Sequence, residues 1–86
     1  MANYKIQIRR SAEKELEKIS QKDRKRIIER ILALEKDPRP AGVKKLSGEE
    51  KYRVRQGDYR ILYEINDALI TIVVVRIAHR GDVYRH

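Results

Sequence analysis

Cysteine is absent from the 86 residues of this sequence, which excludes disulfide bonds and thiolate metal sites. Histidine occurs only twice, too few to build a zinc site without cysteine. Glycine is also scarce, and its four scattered positions fit no phosphate-binding loop or dinucleotide fingerprint. We therefore expect a protein that holds no metal and needs no cofactor.

Long hydrophobic runs are missing as well. The longest, residues 68–75, is interrupted by Thr71 and is far shorter than the roughly 20 residues that a membrane-spanning helix needs. The first residues, Met1 to Lys5, lack the apolar segment of a secretory signal peptide. Together with the lack of cysteine, these absences predict a cytoplasmic protein with no membrane partner.

Charged and apolar residues are what the chain has in abundance. Hydrophobic residues make up 41% of it and charged residues 40%, which is enough for one small core under a heavily charged surface. Residues 1–86 are therefore expected to form a single domain. Lysine and arginine outnumber the acidic residues by 21 to 13, for a formal net charge of +8. This charge favours a polyanionic partner such as nucleic acid, with an acidic protein as the alternative.

The first half of the chain predicts one strand and two helices. Residues 4–10 alternate between apolar and polar, the period of a half-buried strand. Ser11 is placed to cap a first helix and Ser20 a second one, with Asp23 three residues later as in a capping box. The second helix should end before Pro38, because the residue preceding a proline disfavours helical backbone angles. Its apolar face consists of Ile27, Ile28, Ile31, Leu32 and Leu34.

The second half of the chain predicts a β-meander. Residues 43–48 are interpreted as a connector, with Leu46 packed under the sheet edge. Segments 51–56 and 59–65 alternate and are separated by Gly57-Asp58, a pair suited to a tight turn, and the nearly apolar segment 69–77 follows. The predicted order is β-α-α-β-β-β. It describes an α+β domain with a helical hairpin packed on one face of a mainly antiparallel four-stranded sheet.

The alternation also divides the side chains of this sheet between its two faces. Since the helices can cover only one face, the aromatic and aliphatic residues that share a phase should form the core there: Tyr52, Val54, Ile61 and Tyr63. The other face, or its rim, then presents Arg53, Arg55 and Arg60, with Leu62 in the same phase. Such a surface could bind RNA, although alternating arginines also suit an ordinary solvated face.

Metal-free cleavage of RNA needs a group that takes the proton of the 2′-hydroxyl, cations for the phosphate, and a way to neutralise the departing 5′-oxygen. Arginine suits the phosphate, because its planar guanidinium stays charged and matches the phosphate oxygens. His79 and Tyr84 are the candidates for moving protons. Each also has an ordinary interpretation, His79 as a loop residue and Tyr84 as an aromatic that packs near the terminus.

Four segments resemble the RelE/ParE superfamily of type II toxins, on the RelE side. They are Lys45-Leu46, Tyr52-Arg-Val-Arg55, Gly57-Asp-Tyr-Arg-Ile-Leu-Tyr63 and His79-Arg-Gly-Asp-Val-Tyr84. The resemblance covers essentially the whole chain and implies one RelE-like toxin domain over residues 1–86. RelE-type toxins are ribosome-dependent endoribonucleases, or mRNA interferases, that cleave mRNA in the A site and inhibit translation. The resemblance implies the same activity here, with the ribosome and mRNA as partners and an acidic RelB-like antitoxin as inhibitor.

The resemblance also implies an RNA-binding set. Arg53 and Arg55 match basic strand positions that hold RNA phosphates. Lys45 matches a basic position on the approach to the site. Where the best-known pattern has lysines, this sequence has arginines at 53 and 55, which keeps the charge but removes the proton-transfer capacity of a lysine.

A catalytic set follows from the same resemblance. Arg60 corresponds to the arginine that stabilises the scissile phosphate, and Arg80 to one that acts at the transition state or leaving group. Tyr84 corresponds to the general base. His79 is a second candidate for proton transfer, since some relatives use a histidine as acid or base.

Two alternatives belong to other functional classes. The first is a non-enzymatic toxin of the ParE kind, which binds DNA gyrase and generally lacks the arginine and tyrosine set. The second is a catalytically degenerate member that only binds an antitoxin. A gyrase supercoiling assay separates the first from the ribonuclease, and growth arrest without a partner separates the second.

Overall fold

Residues 3–46 and 50–81 are described by a computed structural model. Their elements are β1 (Lys5–Ile8), α1 (Arg10–Glu17), α2 (Gln21–Ala33), β2 (Lys44–Leu46), β3 (Lys51–Gln56), β4 (Tyr59–Asn66) and β5 (Thr71–His79). The strands form one sheet in the order β1-β5-β4-β3-β2. All neighbouring strands are antiparallel except β1 and β5, which are parallel. The predicted α+β class and mainly antiparallel sheet are confirmed.

The sheet has five strands rather than the predicted four. The additional strand is β2, a three-residue edge strand that pairs antiparallel with β3 in the segment interpreted as a connector. Three residues are too few to show an alternating pattern, so this strand left no periodic signal in the sequence. In the ranges that the structure describes, no helix has the length and apolar character needed to cross a membrane.

The helical hairpin covers one face of the sheet, as predicted. α1 contacts β5, while α2 contacts β3 and β4. The core residues expected from β3 and β4 are all buried: Tyr52, Val54, Ile61 and Tyr63. In the same cluster, α2 contributes Ile27 and Ile31, and its C-cap residue Leu34 is buried as well. Ile28 and Leu32 stay 38% and 50% exposed, so the buried face of α2 is narrower than its apolar face.

The two helix starts differ in how they are capped. The Ser20 prediction is confirmed, because its hydroxyl accepts a hydrogen bond from the backbone N–H of Asp23 at 3.4 Å. The Ser11 prediction is wrong, since α1 begins at Arg10 with Arg9 in the N-cap position, which places Ser11 inside the helix. The Ser11 hydroxyl instead donates to the backbone carbonyl of Val75 at 2.9 Å.

A bulge in β5 decides which side chains face the helices. The register between β4 and β5 shifts between Leu62 and Tyr63, which inserts one extra residue, Val75, into β5. Because successive side chains alternate between faces, one inserted residue reverses the alternation of everything that follows it. Ile77 and His79 therefore lie on the face that carries the helices.

Helix α1 protects the part of β5 that extends beyond β1. The Glu15 carboxylate accepts a hydrogen bond from the backbone N–H of Ile77 at 2.8 Å, and it also lies 3.0 Å from the Arg76 guanidinium. Together with the bond from Ser11 to Val75, these contacts satisfy backbone groups along a strand edge that would otherwise be open to pairing. They also fix α1 beside the end of β5.

Tyr63 links the sheet to the connector after α2 and gives a prediction for alkaline pH. Its hydroxyl donates to the Pro38 carbonyl at 2.7 Å, and burial raises its pKa to about 12 from an ordinary 10.0. Ionisation above pH 10 therefore favours the unfolded chain, and stability is lost as the pH rises toward about 12. Tyr63→Phe should lower the unfolding free energy by about 1 kcal/mol at neutral pH. The variant should also lose less unfolding free energy at alkaline pH than the unmodified protein, as measured by urea unfolding between neutral pH and about 12.

The control for this experiment is Tyr59→Phe, at a tyrosine that is only partly buried. We expect the control to follow the alkaline profile of the unmodified protein. An identical alkaline loss in Tyr63→Phe and in the unmodified protein would contradict the assignment to Tyr63.

Candidate nucleic-acid interface

The tight turn between β3 and β4 brings two arginines side by side. Gly57 adopts a φ of +59°, a backbone angle that residues with a side chain rarely adopt. This angle lets the chain reverse within the two-residue turn Gly57-Asp58. The register then places Arg55 directly opposite Arg60. Both lie on the sheet face away from the helices, as predicted from the alternation.

A third arginine reaches the same place from the end of β5. The backbone N–H of Arg80 donates to the Asp58 carbonyl at 2.6 Å, which fixes Arg80 beside the turn. Its guanidinium lies 3.9 Å from the Asp58 carboxylate. A cleft of about 440 Å³ results, lined by Arg55, Gly57, Asp58, Tyr59, Arg60 and Arg80. We call it the arginine cleft.

The charge of the arginine cleft suits an anion. Three guanidinium groups line it, and Asp58 is the single carboxylate among its described lining residues. Guanidinium groups bind phosphate through two parallel hydrogen bonds and remain charged at any physiological pH. Arg80 is 78% exposed and Arg55 is exposed as well, so both can contact a ligand as large as RNA.

Arg53 lies on the same face but one row farther from the turn. It is opposite Lys44 on β2 and Leu62 on β4. Residues two apart on a strand are separated by about 6.6–6.8 Å, roughly the distance between successive phosphates of a nucleic acid strand. Arg53 and Lys44 therefore extend the positive surface away from the arginine cleft. Lys44 was not among the predicted site residues, because β2 was not predicted.

The structure does not bring Lys45 together with these arginines. Lys45 is opposite Tyr52, whose side chain lies in the core, so it projects from the helix-covered face at the sheet edge. Its amine lies 3.4 Å from the Glu50 carboxylate. The assignment of Lys45 to the approach of the site remains a prediction from the resemblance.

The two proton-transfer candidates lie apart from the arginine cleft or outside the description. The His79 ring lies on the helix-covered face, where its centroid is 5.1 Å from that of Tyr59 in an edge-to-face contact. Tyr84 falls outside residues 3–46 and 50–81. Within those ranges, no group of three histidine, aspartate or glutamate side chains could hold a metal ion. The described part of the cleft is therefore suited to binding phosphate and stabilising its charge.

A second charged cluster, at the opposite end of the sheet, has its charges paired. Arg39 lies 2.9 Å from Asp67 and 3.3 Å from Glu50, and its Nε donates to the Tyr52 hydroxyl at 3.0 Å. The hydrogen bond from Arg39 holds the pKa of Asp67 below its usual value. The bond from Tyr52 does the same for the pKa of Glu50. This cluster attaches the connector after α2 to the sheet and, unlike the arginine cleft, offers little net charge to an anion.

Comparison with protein families assigns nearly the whole chain to one family. Residues 6–84 match the family described as ParE toxin of type II toxin-antitoxin system, parDE. The chain belongs to the RelE/ParE superfamily of type II toxins. The family predicted from the sequence segments is thus confirmed, and the protein is the toxin of a type II toxin–antitoxin system.

Solved structures of similar toxins share the fold. The archaeal RelE–RelB complex from Pyrococcus horikoshii matches with a TM-score of 0.84 and 30% identity, covering 94% of this chain and 99% of the other. The RelBE2 complex of Mycobacterium tuberculosis gives 0.83 and 29% identity over 95% and 97% of the two chains. The isolated E. coli RelE toxin gives 0.82 at 18% identity over 93% and 87%, a similarity of fold alone.

A similarity at the level of sequence is shorter. Toxin RelG of Mycobacterium tuberculosis is 47% identical over 34 residues, which are 40% of this chain and 39% of that toxin. The match thus spans well under half the length of that relative. It supports the family, while the activity of this toxin has to be argued from its own residues.

Proposed function

We propose that this toxin is a ribosome-dependent, metal-free endoribonuclease that cleaves mRNA in the A site and thereby inhibits translation. The observation that carries the proposal is the convergence of Arg55, Arg60 and Arg80 in the arginine cleft on the exposed sheet face. The ribosome and mRNA are the proposed partners, so the proposed location is the cytoplasm.

The arginines supply the electrostatic part of the reaction. Arg55, with Arg53 one row away, holds phosphates and sets the path of the RNA strand. Arg60 lies between Arg55 and the end of β5 and binds the scissile phosphate, whose negative charge grows in the transition state. Arg80, whose side chain is 78% exposed, stabilises the charge on the leaving 5′-oxygen.

Proton transfer is assigned to Tyr84. In the proposed step, Tyr84 takes the proton of the 2′-hydroxyl, the 2′-oxygen forms a bond to phosphorus, and the bond from phosphorus to the 5′-oxygen breaks. The 5′-oxygen then takes a proton from water, which leaves a 2′,3′-cyclic phosphate and a free 5′-hydroxyl. An arginine beside a tyrosine favours its ionised form, which is the form that acts as a base.

The test is an in vitro translation reaction in which mRNA 5′ ends are mapped. We expect the toxin to produce new 5′ ends within A-site codons of ribosome-bound mRNA. The double variant Arg80→Ala/Tyr84→Phe should leave the mRNA intact, because it lacks both the leaving-group cation and the proposed base. The absence of A-site cuts with the unmodified toxin, or equal cutting by the double variant, would refute the proposal.

A second candidate is inhibition of DNA gyrase, favoured by the ParE name of the matching family. Its test is a supercoiling assay with purified gyrase. Supercoiling at the control rate in the presence of the toxin excludes this candidate. Inhibited supercoiling without mRNA cleavage would replace the ribonuclease proposal by it.

An acidic antitoxin is the proposed inhibitor. Related toxins have been solved as complexes with RelB antitoxins, in Pyrococcus horikoshii and Methanococcus jannaschii among others. A net charge of +8 and an exposed arginine cleft would be complemented by an acidic segment that folds as it binds. Size-exclusion chromatography with light scattering, using the product of the neighbouring gene, should show a stable complex. Separate elution of the two proteins would contradict this partner.

A further inference from the structure

His79 lies next to the arginine cleft in sequence but on the other side of the sheet. Without the extra residue at Val75, His79 would point to the open face that carries Arg60. The bulge instead pairs His79 with Tyr59 across β4 and β5, on the helix-covered face. The sheet therefore separates the imidazole from the phosphate-binding side of the cleft.

The imidazole nevertheless contacts the segment that carries Arg80. Its Nδ1 accepts a hydrogen bond from the backbone N–H of Gly81 at 3.3 Å, and its ring rests on the edge of Tyr59. The backbone N–H of Arg80 itself donates to the Asp58 carbonyl at 2.6 Å. Two consecutive backbone N–H groups thus have different acceptors. The N–H of Arg80 is held by the Asp58 carbonyl, and that of Gly81 by the His79 imidazole.

We propose that His79 is a positioning residue for Arg80, acting through the Nδ1 acceptor rather than through proton transfer. The proposal rests on the proposed ribonuclease function and assigns His79 a different role from the acid or base that the resemblance suggested. The exposed side chain of Arg80 gains a defined direction only if the backbone after β5 is fixed. The bond from Gly81 to His79 fixes that backbone just beyond Arg80, where the turn following β5 begins.

Two substitutions separate the possible roles of His79. His79→Asn keeps an acceptor, because the Asn Oδ1 occupies about the position of Nδ1, but it removes the imidazole ring. His79→Phe keeps a ring against Tyr59 but removes the acceptor. In the ribosome cleavage assay, we expect His79→Asn to keep kcat near that of the unmodified toxin. His79→Phe should lower kcat on the order of 100-fold, with KM for ribosomes unchanged, because a misplaced catalytic group slows the chemical step.

The other outcomes each overturn the proposal. Loss of activity in both variants would make His79 an acid or base. Retained activity in His79→Phe, whether or not His79→Asn is active, would mean that cleavage does not need the Nδ1 acceptor.

A second measurement needs neither ribosomes nor RNA. The Gly81 amide should exchange its hydrogen faster in His79→Phe than in the unmodified toxin, while His79→Asn should exchange at the unmodified rate. Equal exchange in all three proteins overturns the positioning role. A toxin that cuts no mRNA refutes the proposed function alone, since the exchange experiment still decides whether His79 holds this backbone.

Discussion

Replacing Arg60 with alanine is expected to reduce the rate of mRNA cleavage by about 100- to 1,000-fold, the usual cost of removing one donor that stabilises transition-state charge. Arg60 is central because it is opposite Arg55 on β3 and lines the arginine cleft. Arg60→Lys should recover part of the activity, since an ammonium keeps the charge but lacks the planar fork of the guanidinium. Single-turnover cleavage of ribosome-bound mRNA measures both effects.

The matched control is Arg10→Ala, which removes the same charge from an exposed position on α1, outside the arginine cleft. We expect this variant to cleave at the unmodified rate. Circular dichroism should show that both variants are folded. If Arg60→Ala cleaves as fast as Arg10→Ala, the arginine cleft is not where the phosphate is bound.

Replacing Ile61 with alanine is expected to lower the unfolding free energy by about 2–5 kcal/mol. Ile61 is 0% exposed and is opposite Val54 and Ile77, at the centre of the sheet. The loss combines the transfer of apolar surface to water with the cavity left behind, in a domain whose total stability is only about 5–15 kcal/mol. Urea unfolding measures the change. A folded fraction reduced in this way should also reduce activity, although Ile61 contacts no substrate.

Two controls calibrate this result. Ile61→Val removes one methyl group and should cost only about 0.5–1.5 kcal/mol. Leu69→Ala, at a side chain that is 69% exposed, should change stability by no more than about 0.5 kcal/mol. An Ile61→Ala variant as stable as Leu69→Ala would contradict the position of Ile61 in the core.

The fold class was predictable because the strong patterns were long. The alternation of β3 and β4 identified Tyr52 and Tyr63 as core and Arg53 as outward-facing, and both assignments agree with the structure. The short strand β2 was missed, because three residues carry no period. Ser11 was predicted to cap α1, yet its hydroxyl bonds to β5, a long-range contact to which local capping rules are blind.

The site was predictable to the extent that it follows from strand alternation. Arg55 and Arg60 share a face as expected, and the structure places them opposite each other with Arg80 beside them. The face on which His79 lies could not be predicted, because it depends on one inserted residue in β5. Three consecutive valines in that segment show no alternation from which the inserted residue could be recognised. Lys45 shows the same limit, since its face depends on how an unpredicted edge strand pairs.

The parallel pairing of β1 with β5 has a consequence for the order in which the arginine cleft forms during folding. β1 is the first element of the chain and pairs with β5, the last element that the structure describes. In the sheet, β5 lies between β1 and β4. Such long-range pairing folds slowly, because a large loop must close before its contacts form. Arg80 directly follows β5, so its guanidinium takes its place beside Arg55 and Arg60 only when β5 has paired. The topology thus couples completion of the arginine cleft to the slow closing of the loop between β1 and β5.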